Sequence, residues 1–128
     1  MSAKPPRPTN AELEILAVLW EIGPATVRDV YDAISRRRIA QYSTTLKFMQ
    51  IMADKGLLSR DENQRAHIYA ATKPREWTQR QLAGDLLERG FSGSAKALLV
   101  GALSAKKASK AELAELRKFL DEYREQNK

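Results

Sequence analysis

Three segments with helical periodicity and two short β-like runs follow one another between Thr9 and Ala70, with almost no chain left to connect them. The first segment opens on Thr9-Asn10-Ala11-Glu12, a capping-box pattern, in which a Thr side chain and a Glu three residues on satisfy exposed backbone N–H groups. Leu13, Leu16, Leu19 or Ala17, and Trp20 then recur at helical spacing, and Gly23-Pro24 ends the run. The second segment starts at Thr26, a suitable N-cap. Val27, Val30, Tyr31 and Ile34 recur at i, i+3, i+4 and i+7, which makes one apolar stripe. Ser35-Arg36-Arg37-Arg38 closes it, where cations suit the helix dipole.

The third segment, QYSTTLKFMQIMADKG over residues 41–56, divides cleanly on a helical wheel. Thr45, Phe48, Met49 and Met52 share one face, and Ser43, Lys47, Gln50 and Asp54 lie near the opposite pole. Thr44, Leu46 and Ile51 flank the polar strip. Gly56 suits the left-handed residue that follows a helix. Two short runs around the polar cluster Asp61-Glu62-Asn63-Gln64 then read as a β-hairpin, with Arg65 starting the second strand. In that strand Ala66, Ile68 and Ala70 alternate with His67 and Tyr69.

Beyond Thr72-Lys73-Pro74 the pattern returns to helices. One is expected over residues 75–89. Another follows a Ser94 cap and carries Leu98, Leu99, Ala102 and Leu103. A third opens on the capping-box pattern Ser109-Lys110-Ala111-Glu112 and carries Leu113, Leu116, Phe119, Leu120 and Tyr123. Its seam of about two heptads is too short for a coiled coil on its own. Three regions are therefore expected: a flexible basic tail over 1–8, a domain of three helices and a hairpin over 9–72, and a helical part over 73–128. The fold class is mainly α, a winged helix-turn-helix with a small β-hairpin wing and a C-terminal helical part.

Composition narrows the chemistry. The chain has 128 residues, no Cys and a single His, His67. Disulfides and thiolate metal sites are excluded, and His67 reads as a strand-surface residue. No Gly-rich phosphate loop or paired carboxylates in an apolar setting are present, so no enzyme activity, cofactor or metal is expected. The opening MSAKPPRPTN has no apolar stretch, and no run approaches a membrane span, so a cytoplasmic protein is expected, with neither signal peptide nor membrane insertion. Net charge is +6. Residues 1–35 carry three Lys or Arg against five Asp or Glu, and residues 36–65 seven against three. The third segment thus lies in the most basic part of the N-terminal half.

Helix, helix, helix, hairpin is the order of a winged helix-turn-helix, whose recognition helix enters the DNA major groove. This gives the polar strip a role. The short Ser43 and Thr44 allow close approach and offer hydroxyls to phosphates or base edges. Lys47 can reach a phosphate or a guanine, Gln50 suits adenine, and Leu46 or Ile51 can touch a thymine methyl. Arg65 would lie over phosphates or the minor groove. The helix start near Thr26 can offer backbone N–H groups to a phosphate. Leu98, Leu99, Leu103, Leu113, Leu116, Phe119 and Leu120 are expected to be buried against a second copy, at about 1.5–3 kcal/mol per fully buried large side chain.

The runs TNAELEILAVLWEIGPATVRDVYDAI, YSTTLKFMQIMADKGLL and RAHIYAAT resemble the penicillinase-repressor family of bacterial transcription factors, and GFSGSAKALL and SKAELAELRKFL do so more loosely. The resemblance implies a winged-helix homodimer that represses genes from a palindromic operator. It also implies that Tyr42, Ser43, Thr44 and Lys47 form the start of the recognition helix, and that residues 73–128 form the dimerisation part. There are departures. Position 45 is Thr where Val is common, and position 51 is Ile where a basic residue is common. Antibiotic-responsive members are cleaved at an Asn-Phe bond, whose matching place here is Gly101-Ala102. The Cys cluster of copper-responsive relatives is missing. No inducing protease or sensor is named by the sequence. The competing reading is a winged-helix protein–protein interaction module without DNA binding; its binding face should be apolar at the centre, whereas Ser43, Lys47 and Gln50 are polar.

Overall fold

The computed structural model describes residues 7–127. The tail expected over 1–8 lies outside the described residues except for Arg7 and Pro8. The elements are α1 (Asn10–Ile22), α2 (Val27–Ser35), α3 (Tyr42–Asp54), β1 (Leu58–Asp61), β2 (Ile68–Ala71), α4 (Arg75–Gly90), α5 (Ala95–Ala105) and α6 (Lys110–Gln126). The fold is mainly helical with a two-stranded antiparallel wing. The chain divides into two compact units, one reaching Arg80 and one beginning at Gln81. The first residues of α4 belong with the first unit. There Trp20 Nε1–H donates to the Lys73 carbonyl (3.1 Å), and the Arg75 guanidinium sits 6.0 Å from the centre of the Trp20 ring.

Both predicted N-terminal capping signals of the first unit form. Glu12 N–H donates to Thr9 Oγ1 and Thr9 N–H donates back to Glu12 Oε1 (3.2 and 2.9 Å). Thr26 and Asp29 make the same reciprocal pair at the start of α2 (3.2 and 3.1 Å). The core of the unit gathers Ile15, Leu16, Val18 and Leu19 from α1, Val27, Val30 and Ile34 from α2, Met49 and Met52 from α3, Leu58 from β1 and Tyr69 from β2. On α1 this corrects the expected stripe: Leu13 and Trp20 are only partly buried, while Ile15 and Val18 are inside. α1 is packed by α2, α3 and β2 together. Its buried face is therefore broader than a single stripe.

The inward face of α3 follows the wheel. Thr45, Met49 and Met52 are buried and Phe48 is half-buried. Thr45 is tolerated inside because its hydroxyl donates to the Gln41 carbonyl one turn back (3.3 Å), so no polar atom there is left unpaired. Gly56 follows the helix with φ of 83°, the left-handed conformation that a Cβ would strain.

In the wing, Leu58 pairs with Ala71 and Asp61 with Ile68. The connection runs over residues 62–67, and Asp61 Oδ1 accepts the Asn63 N–H (2.9 Å) to start its turn. Arg65 therefore lies in the loop and does not start the second strand, and His67 is an exposed loop residue just before β2. Ala25, between α1 and α2, exchanges two backbone hydrogen bonds with Tyr69 (2.9 and 2.8 Å), which ties the wing to the helical core.

In the second unit, Ser94 Oγ caps α5 by accepting Ala97 N–H (3.0 Å), and Ser109 Oγ caps α6 by accepting Glu112 N–H (3.0 Å). Only this half of the capping box predicted at Ser109 forms. No residue of α5 or α6 is buried.

Candidate nucleic-acid interface

The charge imbalance between residues 1–35 and 36–65 turns out to be largely internal pairing. Three acidic residues of α1 each take a cation from the basic stretch. Lys55 Nζ donates to Glu12 Oε2 and Oε1 (3.0 and 3.3 Å). Arg38 grips Glu14 through Nε and Nη2, with contacts of 2.6 to 3.2 Å. Arg37 Nη2 lies 3.5 Å from Glu21. In the wing, Arg60 pairs with Glu62 (2.8 Å). Of the seven cations over residues 36–65, those without an ion pair to a carboxylate among the described residues are Arg36, Lys47 and Arg65.

The pKa shifts follow these pairs. Burial pushes Glu12 up, but the Thr9 backbone N–H and the Lys55 ammonium outweigh it and hold the carboxyl below its ordinary value. Glu14 is lowered by its hydrogen bonds from Arg38, against some burial, with further help from the Arg38 and Arg37 charges. Arg60 is held more firmly protonated by the Tyr69 hydroxyl and then by Glu62.

The sequence-predicted residues of α3 form one outward strip. Tyr42 is 41% exposed, and Ser43, Thr44, Lys47 and Gln50 are all exposed. Leu46 and Ile51 flank it half-buried. The strip begins at an open helix end. α1, α2, α5 and α6 each have a Thr or Ser cap, but the residue at that position of α3 is Gln41, whose side chain makes no capping bond. A helix start without a side-chain cap leaves N–H groups that can meet an anion.

Thr26 is half-buried, and its N–H, like that of Asp29, is already used within the α2 capping box. The expected offer of N–H groups there is reduced to the remaining ones in the first turn. Beside the start of α3 lies a cleft of about 260 Å³ lined by Glu14, Ile34, Arg38, Gln41, Thr44 and Phe48, among others. Its two charged walls are paired with each other, so it presents no free charge.

Three contacts escaped the sequence reading. Glu12 had carried a signal: a carboxylate at the buried edge of an apolar helix demands a cation. The Arg38–Glu14 pair had none beyond complementary charge, because the two residues meet only once α1 and α2 are packed. Tyr31, placed in the apolar stripe of α2, is half-buried and meets Tyr42 edge-on at 5.7 Å between ring centres.

The penicillinase repressor family model matches residues 8–122. The chain belongs to that family. It is 36% identical over 100 residues to the transcriptional regulator BlaI of Mycobacterium tuberculosis, in alignments covering 77% of this chain and 72% of the relative in each of two strains. An uncharacterised 16.5 kDa protein of Latilactobacillus sakei is 30% identical over 66 residues, covering 52% of this chain and 45% of that one. Among solved structures, a MarR family protein from Bacillus stearothermophilus superposes with a TM-score of 0.51 at 20% identity, covering 94% of this chain and 76% of the other. That likeness bears on the fold alone. Family membership makes this protein a transcriptional repressor with a winged-helix DNA-binding fold, and not an enzyme.

Proposed function

We propose that the protein is a homodimeric, cytoplasmic repressor that reads a palindromic operator, one half-site per α3. In this reading Tyr42, Ser43, Thr44, Lys47 and Gln50 face the major groove. Arg65 meets phosphates or the minor groove from the wing loop, and the start of α2 near Thr26 faces a phosphate. Residues 73–128 form the dimerisation part through Leu98, Leu99, Leu103, Leu113, Leu116, Phe119 and Leu120. The observation that carries the reading is the charge pairing: α1 and the wing neutralise Arg37, Arg38, Lys55 and Arg60, and leave Lys47 and Arg65 without carboxylate partners on exposed surface. The polar centre of the α3 strip supports DNA over a protein partner. No helix among the described residues is long and apolar enough to cross a membrane. For the dimer, the support is the apolar side chains of Leu99, Leu103, Leu113, Phe119 and Leu120 on α5 and α6, which are exposed among the described residues.

Selection of bound duplexes from a random or genomic library tests the reading. The expected product is an inverted repeat bound in the sub-micromolar range, with affinity falling steeply as salt rises through counterion release. Lys47→Ala and Arg65→Ala should each weaken it. Enrichment of no sequence, together with gel shifts that fail to separate the selected pool from random DNA, would sink the proposal.

A further inference from the structure

The first turn of α2 holds a cation in an unfavourable place. Arg28 lies beside the positive end of the helix dipole, where acidic residues are preferred. Its guanidinium is 5.7 Å from the centre of the Tyr31 ring, and Tyr31 in turn meets Tyr42, the first residue of α3, edge-on at 5.7 Å. A cation, an aromatic seat and the start of the proposed reading helix thus form one continuous row. Among the described residues the carboxylate on the guanidinium is Asp32 (3.3 Å), one turn along the same helix, and the two side chains are 70% and 46% exposed. Such a surface pair is weak and exchanges readily for another anion. The capping box next to it has already used the N–H groups of Thr26 and Asp29. An anion arriving at this end of α2 therefore meets Arg28 as the strongest donor.

In a helix-turn-helix the helix before the recognition helix crosses the DNA backbone. We propose that Arg28, seated on Tyr31, contacts a DNA phosphate flanking the bases that face α3, with Tyr31 as the positioning residue that links this contact to Tyr42. The proposal rests on the DNA-binding reading above and adds a phosphate contact to it. Arginine suits the role because a planar guanidinium can stack on a ring and still direct N–H groups at phosphate oxygens.

The test uses the full chain with two fluorescent duplexes, the selected inverted repeat and a random sequence of equal length, titrated over a salt series. Arg28→Ala is expected to reduce the slope of log affinity against log salt by about 0.9 per bound protomer, and to weaken both duplexes by a similar factor, roughly fivefold. Arg28→Lys should keep the slope. In a Tyr31→Leu background the effect of Arg28→Ala should shrink, because the seat has gone. A purely structural role for Arg28 would shift the melting temperature and leave the slope alone. An unchanged slope for Arg28→Ala, in a protein whose Lys47→Ala variant has lost slope, overturns this inference only. A loss confined to the selected duplex overturns the phosphate assignment. Wild-type protein that shows no salt-dependent binding to either duplex overturns the DNA-binding reading as well.

Discussion

The two units of this chain treat their apolar side chains in opposite ways. In the first, twelve hydrophobic residues drawn from α1, α2, α3, the wing and Ala25 close around one another, most of them 4% exposed or less. In the second, α5 and α6 carry comparable side chains and bury none: Leu99 and Leu103 are 37% exposed, Phe119 61% and Leu120 52%. Both units have capped helices, so local helix signals do not account for the difference. Closure does. Three helices and a wing surround a common centre, whereas α5 and α6 leave even Leu98 and Leu116 only half-buried. The first unit is complete as one chain. On the dimer proposal, the second is completed by a copy of itself.

The comparison breaks most easily at the second unit. Replacing Leu103 and Leu120 together by Glu should cost little in a lone chain, where both are exposed. It should be severe in a symmetric dimer, at about 1.5–3 kcal/mol for each large side chain that the interface buries, felt twice by symmetry. Sedimentation equilibrium should then report a single 14.4 kDa chain. Wild-type protein that already sediments as one chain would remove the contrast. The next largest effect belongs to the first unit. Met49→Ala empties a fully buried site and should destabilise that unit by about 2–5 kcal/mol in urea unfolding.

A third prediction concerns the Glu12–Lys55 pair, which joins the beginning of α1 to the end of α3. Glu12→Gln weakens charge-assisted bonds to Thr9 and Lys55 and should cost about 2 kcal/mol at neutral pH. Because the folded-state pKa of Glu12 lies below its ordinary 4.5, its contribution is present above that value and is lost as pH falls through the lowered one. The gap between wild type and Glu12→Gln should therefore be widest at neutral pH and narrow in acid, which urea midpoints measured across that range will show. The smallest stability effect is expected from Ser43→Ala, an exposed position on the outward strip, within about 0.5 kcal/mol. Its effect should fall on DNA affinity instead.

Much of the first unit was legible because its signals are local. The capping box at Thr9, the N-cap at Thr26, the stop at Gly23, the left-handed Gly56 and the inward row of α3 all depend on residues within a turn or two of each other. What was not legible depends on neighbours far along the chain. The buried face of α1 broadened toward Ile15 and Val18 because three elements pack on it. The start of β2 moved past Arg65 because the wing turn is a six-residue loop begun by Asp61 and Asn63. The basic stretch looked like one electrostatic feature, yet three of its seven cations meet residues of α1 that are 16 or more positions away in sequence. The same holds for the candidate site. Periodicity located the outward strip, but which cations remain available on it, and that Tyr31 braces Tyr42, emerged only from packing.

The inward row of α3, Thr45, Met49 and Met52, shares no residue with the outward row of Ser43, Thr44, Lys47 and Gln50. Changes in one row are therefore nearly independent of the other. A duplicated copy of such a gene could drift toward a new target sequence one outward residue at a time, each intermediate still folded and soluble, because nothing in the core would record the change. The same separation makes α3 a practical place to graft a different reading surface onto an unaltered scaffold.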